Sequence, residues 1–238
     1  MEAAGTNLAV DYVEHSGSDL TVVNAARISY GKVSGQLEDK DVKLIKYLAK
    51  NKHMSPFEHN SITIIVTCPL YVRSQIHRHR TFSYNELSRR YTSEGITFYT
   101  PVHYRMQSLT NKQASGADIT DPVILKEIRE IFERIHITAK CDYDRLLELG
   151  LVREQSRGIL PQNLMTKFYM TGNLRNYMHF LSLRDDDHAQ DEVQIIARGI
   201  RTILKDKFPI STEALEWSGE TNKLKTCVAI VEKEECQS

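Results

Sequence analysis

Between Asp121 and Gly150 the sequence carries the pattern that most restricts the fold. Apolar residues recur at Ile124, Ile128, Ile131, Phe132, Ile135, Ala139, Tyr143, Leu146 and Leu147, the three-to-four spacing of a helix with one apolar face. Asp121 precedes Pro122 as an N-cap before a first-turn proline, where the missing N–H would have had no helical partner anyway. Gly150 can take the left-handed conformation that closes a helix. A long helix over Pro122 to Leu149 is therefore expected.

Similar periodicity predicts helices from about Asp39 to Lys50, Asn173 to Arg184 and Ala189 to Phe208. The branched run Ile62 to Cys68 reads as a strand, with shorter strands at Thr97 to Thr100 and Val228 to Val231. Helices outnumber strands without regular alternation, which argues for an α+β fold rather than a doubly wound parallel sheet. No repeat, low-complexity segment or long linker divides the 238 residues, so a single domain over 1–238 is expected. The polar connection Gln107 to Asp121 is the nearest thing to a flexible joint.

Lys plus Arg and Asp plus Glu both number 31, so no global field draws the chain to nucleic acid or an anionic membrane. Neither is expected as a partner. The opening Met1 to Gly5 lacks a basic stretch and apolar core, and the longest nearly apolar run, Ile62 to Val72, is shorter than the roughly 20 residues of a membrane span. Cys68, Cys141, Cys227 and Cys236 show no Cys-x-x-Cys spacing, which fits a reducing compartment, and a cytoplasmic location is expected. Neither Gly-x-Gly-x-x-Gly nor a P-loop occurs, so a nucleotide would be held some other way.

Chemistry concentrates from Arg73 to Tyr91. Five arginines, Arg73, Arg78, Arg80, Arg89 and Arg90, stand against one acid, Glu86. Guanidinium groups stay charged at working pH and bind phosphate bidentately, so the cluster reads as a local anion site. Gln75, His77, His79, Ser83, Asn85 and Ser88 between them suit recognition better than a merely solvated basic face.

Arg78-His79-Arg80, followed after seven residues by Ser88, resembles the signature of the flavin-dependent thymidylate synthases. The resemblance extends to His53-x-Ser-Pro-Phe-Glu-His59, to Arg153 through Pro161, and to Asn173-Leu-Arg with Leu183-Arg184-x3-His188-Ala-Gln190. These ordered blocks span about 51–192. The resemblance implies a fold of antiparallel sheet with packed helices and no Rossmann module. It further implies methylation of dUMP to dTMP, with 5,10-methylenetetrahydrofolate as one-carbon donor and FAD, reduced by NADPH, as hydride source. Tetrahydrofolate is the second product, and the expected assembly is a homotetramer with active sites shared between subunits.

By matching positions, the resemblance assigns His53, Ser55, Arg78, His79, Arg80, Glu86, Asn173, Leu174, Arg175 and His179 to FAD. It assigns Gln75, Ile76, His77, Arg78, Glu86, Leu87, Ser88, Arg89, Arg90 and Arg157 to dUMP, some through backbone amides, and Arg184 to the uracil base. Arg175 and His179, four apart, share a helix face, whereas Arg184, nine from Arg175, lies half a turn away. A guanidinium against the uracil edge would stabilise anionic character as carbon 5 becomes nucleophilic. Ser88 has no base beside it and no Gly-x-Ser-x-Gly context, so it reads as a phosphate contact rather than a nucleophile.

Two other readings stay open from the residues alone. His77, His79, His188 and Asp185 to Asp187 could ligate a metal in a phosphohydrolase, although His77 and His79, a strand-like pair, lack a third ligand of clear spacing, and no metal is expected. Arg78, Arg80, Arg89 and Arg90 with Phe82, Tyr84 and Tyr91 could bind single-stranded RNA, against which the neutral net charge counts.

Overall fold

A computed structural model of the protein describes residues 8–108, 115–186 and 188–216. The strand expected at Val228 to Val231, Cys227, Cys236 and Asp187 lie outside the described residues. The fold is α+β with an antiparallel sheet. Four strands, β1 (Ala9–Ser16), β2 (Ser61–Pro69), β3 (Ser83–Glu86) and β6 (Met165–Gly172), form a sheet in the order β1-β2-β6-β3. In β2 the branched run is almost continuously buried. In β6, buried Met165, Thr166, Phe168 and Met170 leave Lys167 and Tyr169 exposed, and this two-residue alternation marks a strand even where β-branched residues are scarce.

The chain divides into two compact, interleaved units. One comprises the described residues up to Asp11, Ile65–Met170 and Asp186–Ile196; the other comprises Tyr12–Ile64, Thr171–Asp185 and the described residues from Ala197 on. β2, β6 and helix α7 (Asp191–Lys207) each run through both.

In the first unit, α3 (Leu70–Ile76) follows β2 directly: Pro69, the last residue of β2, has no N–H to carry the ladder on, and its ring-fixed φ of −71° with ψ 157° makes it an extended N-cap. The long helix α4 is found over Pro122–Glu148, with the Asp121 carboxylate accepting from Val123 N at 2.8 Å and Ile124 N at 3.3 Å. Gly150 closes it at φ +86°, a conformation that a β-carbon would strain. Tyr143 of α4, Leu160 and Leu164 form a buried cluster with Leu70, Ile96, Phe98 and Leu147 against it. The short helix α5 (Arg153–Ser156) and a 3-10 turn, Arg157–Ile159, lead back toward β6.

Two expectations are corrected in this unit. Thr97 to Thr100 forms no strand, only a single bridge from Phe98 to Leu164; the segment beside it turns away, with Leu164 N donating to the Pro161 carbonyl at 2.9 Å, so the ladder cannot extend. The connection after Gln107 is partly ordered sheet, since β4 (Arg105–Gln107) pairs antiparallel with β5 (Ser115–Asp118). Gly116 permits that approach, for a β-carbon there would stand 3.2 Å from the Met106 carbonyl oxygen.

In the second unit, α1 (Asp19–Arg27), α2 (Asp39–Lys50) and α6 (Leu174–Arg184) present apolar faces that bury Val22, Val23, Ile45, Leu48, Tyr177 and Phe180. Each such side chain contributes roughly 1.5–3 kcal/mol on burial. Asn60 joins two elements, donating to the Phe57 carbonyl at 3.1 Å and accepting from Leu174 N at 2.8 Å. The Asp19 carboxylate accepts from Ile210 N and Ser211 N at 3.0 and 2.9 Å, satisfying first-turn donors of α8 (residues 209–216). Neither β1 nor α1 is evident in the sequence, because β1 is mostly exposed and α1 is short.

Candidate active site

In the first unit, α3, the turn after it and β3 carry the arginine cluster. α3 ends at His77, and the next residues form a turn that leaves Arg78 and Arg80 exposed while His79 is buried. Strand alternation in β3 then turns Tyr84 and Glu86 inward, and the Tyr84 hydroxyl donates to the Ile76 and His79 carbonyls, both at 3.0 Å. The strand-like pairing of His77 with His79 is therefore corrected. His77 caps a helix, its ring packed 4.2 Å from Tyr84 and 4.9 Å from Phe168. Burial, with Arg73 beside it, lowers its pKa from 6.5, which favours a neutral imidazole. No group of three His, Cys, Asp or Glu among the described residues could hold a metal.

Beyond β3 a cleft of about 560 Å³ opens, lined by Arg73, Glu86, Leu87, Ser88, Arg89 and Arg157 together with Glu154 and Thr166. Five of the residues expected to bind dUMP thus converge on one cavity. Glu86 is held by Thr166, whose hydroxyl donates at 2.7 Å, and lies 3.5 Å from Arg73 Nε as an ion pair. That buried nitrogen faces the Glu86 carboxylate at ion-pair rather than hydrogen-bond distance, which fixes the guanidinium at the wall of a cavity large enough for a nucleotide. Arg157 is exposed, and no carboxylate among the described residues pairs with it. Glu86 also acts inward: with burial as the larger cause, its charge pushes the Cys68 thiol up to about 12, leaving an inert packing residue.

The cluster's arginines divide their work. Arg89 is buried, and its guanidinium donates to the Glu94 carbonyl and, at 2.9 Å, to that of Gly95. It braces the loop that shapes the cleft. Arg90 pairs with Glu154 at 3.1 Å. Gln75 donates to Gln190, which donates to Glu192 at 2.8 Å, and Arg105 pairs with Asp191 at 2.6 Å and Glu192 at 3.4 Å. Ile76 is fully buried, so only its main chain is available to a ligand.

In the second unit, His53 and Ser55 are exposed at a short 3-10 turn, Ser55–Glu58, with His53 edge-on to Tyr47 at 6.0 Å. Asn173 caps α6 through its side chain, which accepts from Asn176 N at 3.0 Å. Leu174 is buried with its N–H spent on Asn60, so neither its side chain nor that donor is open to a ligand. Arg175 and His179 share the exposed face of α6, and Arg175 pairs with Glu58. Arg184 lies half-buried in the last turn, and burial lowers its pKa from the usual arginine value. The adjacent Asp185 carboxylate is engaged by Arg201 at 2.6 Å and Arg198 at 3.4 Å.

Sequence reasoning counted Arg73 in the cluster without giving it a role and passed over Thr166 and Glu154. Arg73 could have been found as a cation of the same run one helical turn before His77; nothing local marks the other two.

Fold and cleft define an α+β protein with an arginine-lined cavity suited to an anion. Residues 11–210 match the family model described as thymidylate synthase complementing protein. The flavin-dependent thymidylate synthase of Kosmotoga olearia is 40% identical over 219 residues, covering 91% of this chain and 94% of the relative. That of Thermosipho melanesiensis is 43% identical over 204 residues, covering 85% and 87%. A crystal structure of the UMP/dUMP methylase PolB from Streptomyces cacaoi, bound with 5-Br dUMP, superposes with a TM-score of 0.82 at 34% identity, covering 90% of this chain and 97% of that one. The chain belongs to this family, the flavin-dependent thymidylate synthases, and is an enzyme.

Proposed function

We propose that the protein methylates dUMP to dTMP, using 5,10-methylenetetrahydrofolate as one-carbon donor and FAD reduced by NADPH as hydride source, and releasing tetrahydrofolate. The observation that carries this reading is the cleft in which Ser88, Leu87 and Arg157 meet Arg73, held at the wall by its ion pair with Glu86. A nucleotide phosphate is a dianion that needs cationic donors to offset its desolvation, and Arg157 and Arg73 are the cations suited to it. Ser88 and the main chain around Leu87 complete its hydrogen bonds, while Arg89 and Arg90 act from behind by holding the loop. Gln75, Ile76 and His77 lie to the α3 side, with a neutral His77 offering one donor and one acceptor.

The residues present fit a flavin dinucleotide. Arg78 and Arg80 are exposed, and no carboxylate among the described residues pairs with them, so they are available to a pyrophosphate, with buried His79 between them held by the Tyr84 hydroxyl and Glu86 held beside the cleft by Thr166. His53, Ser55, Asn173, Arg175 and His179 supply a second set of donors. In a homotetramer with shared active sites the two sets need not come from one copy of the chain. FAD, when bound, supplies the redox chemistry of the methyl transfer. Arg184 faces the uracil and stabilises negative charge on the ring; partial desolvation strengthens its field. The chain acts as one domain whose two units share β2, β6 and α7, and it works in the cytosol.

Anaerobic single-turnover measurements test the reading. NADPH should bleach the absorbance of protein-bound FAD, and addition of dUMP and methylenetetrahydrofolate should restore it with formation of dTMP. Bleaching without any dTMP would contradict the assignment.

A further inference from the structure

The second unit carries a lysine-lined cleft to which the proposed reaction gives no role. From Val42 to Phe57 the sequence holds Lys43, Lys46, Lys50 and Lys52 and no acid, in a chain of zero net charge. On α2, Lys43, Lys46, Tyr47 and Lys50 follow at i, i+3, i+4 and i+7 and so share one face, opposite the buried Ile45, Leu48 and Ala49. With Glu213 and Ala214 of α8 they line a cleft of about 510 Å³. Lys46 is spent on Glu213 at 3.0 Å, while no carboxylate among the described residues pairs with Lys43 or Lys50. Lys50 stands in the last turn, where a cation answers the helix dipole. Lys43, in the first half of the helix, has no such role.

The end of α2 brings this cleft to His53. His53 N donates to the Leu48 carbonyl at 2.9 Å and Lys52 N to that of Ala49 at 3.1 Å, with Lys52 at φ +57° in the left-handed position that closes a helix. The chain folds back, and the His53 ring lies edge-on to Tyr47 with 6.0 Å between centroids. Tyr47 is thus both a wall of the cleft and the neighbour of His53.

We propose that this cleft binds the oligo-γ-glutamate tail of the folate donor. The inference rests on the folate-dependent reaction and on His53 lying at the flavin, and it adds a second anchoring site for the same molecule. Such a tail is a flexible chain in which each added residue brings one more carboxylate. Lys43, Lys46 and Lys50 rise along α2 in steps of about one turn over roughly 10 Å, point charges on mobile stems that can follow carboxylates in more than one register. A phosphate is better met by guanidinium forks or open backbone amides. Among the described residues no arginine lines this cleft, and the amides beneath it are spent within the helix. Tyr47, 57% exposed, offers a ring face to the aminobenzoyl group where the tail begins.

Steady-state kinetics with the monoglutamate and pentaglutamate forms of methylenetetrahydrofolate test the proposal. The wild type should show a KM for the pentaglutamate about tenfold below that for the monoglutamate, the worth of two exposed ion pairs, and high salt should narrow the gap. Lys43→Gln/Lys50→Gln should bring the two KM values together while kcat, the KM for dUMP and the KM for the monoglutamate stay as in the wild type, a split that a general loss of stability would not produce. Equal KM values for both tails in an active wild type would overturn the proposal and leave the reaction standing, as would a preference that persists in the double variant. Equilibrium dialysis of free tetra-γ-glutamate separates the site from the reaction: binding to the wild type that is lost in the double variant supports the cleft even if no dTMP forms, and no binding to either overturns it.

Discussion

Arg184 and Ser88 separate electrostatic assistance from binding. Arg184→Ala should still bind FAD and dUMP yet lose about 10²–10³ in kcat, the range for removing one preorganised charge-stabilising donor; unchanged turnover would remove its assigned role. Ser88→Ala should keep measurable turnover with a raised KM for dUMP, and mass spectrometry should find no covalent Ser88–pyrimidine adduct. His77 gives a pH signature. Burial and then Arg73 depress its folded pKa below 6.5, so between that lowered value and 6.5 the unfolded chain binds more protons. Stability should therefore rise with pH through this window and be lost as pH falls. The melting temperature of the wild type should show that slope and that of His77→Phe a shallower one, since His136, whose pKa burial also lowers, remains; equal slopes would contradict the assignment. At this scale the cluster is legible in the sequence because charge and hydrogen-bonding inventory are local properties. That Arg89 spends itself on two backbone carbonyls while Arg73 pairs with Glu86 at the cleft is not local; both follow from which chain segments the fold brings alongside.

Elements with chemical punctuation are readable, and those without it are not. α2 has the expected bounds Asp39–Lys50, and α4 and α6 differ from expectation by a residue at an end, because Asp121-Pro122, Gly150 and Asn173 announce where helical hydrogen bonding starts or stops. α7 begins at Asp191 rather than Ala189. β6 escaped notice because its alternation runs through Met, Phe and Thr, and Thr97 to Thr100 misled because strand composition does not supply a partner strand. The cap carries a testable energy: Asp121→Ala should cost about 1 kcal/mol in denaturant unfolding, by stripping Val123 N and Ile124 N of their acceptor. A variant as stable as wild type would show that the first turn of α4 finds other partners.

The whole molecule is where sequence is least informative, since the division into two interleaved units depends on long-range contacts that no window of residues contains. The family blocks nevertheless crossed that gap, because their order along 51–192 reflects one shared fold rather than local propensity. No helix among the described residues is long and apolar enough to cross a membrane. If active sites are shared between subunits, dilution should release flavin and activity together, followed by fluorescence and turnover on the same samples; an active monomer would contradict sharing. The central claim is flavin-dependent methylation of dUMP, and the most direct measurement is dTMP formation from dUMP, methylenetetrahydrofolate and NADPH under anaerobic conditions, with protein stripped of cofactor. Product that appears only when FAD is restored is the predicted result; product formed equally without FAD, or abolished by a metal chelator while FAD is present, would contradict the account.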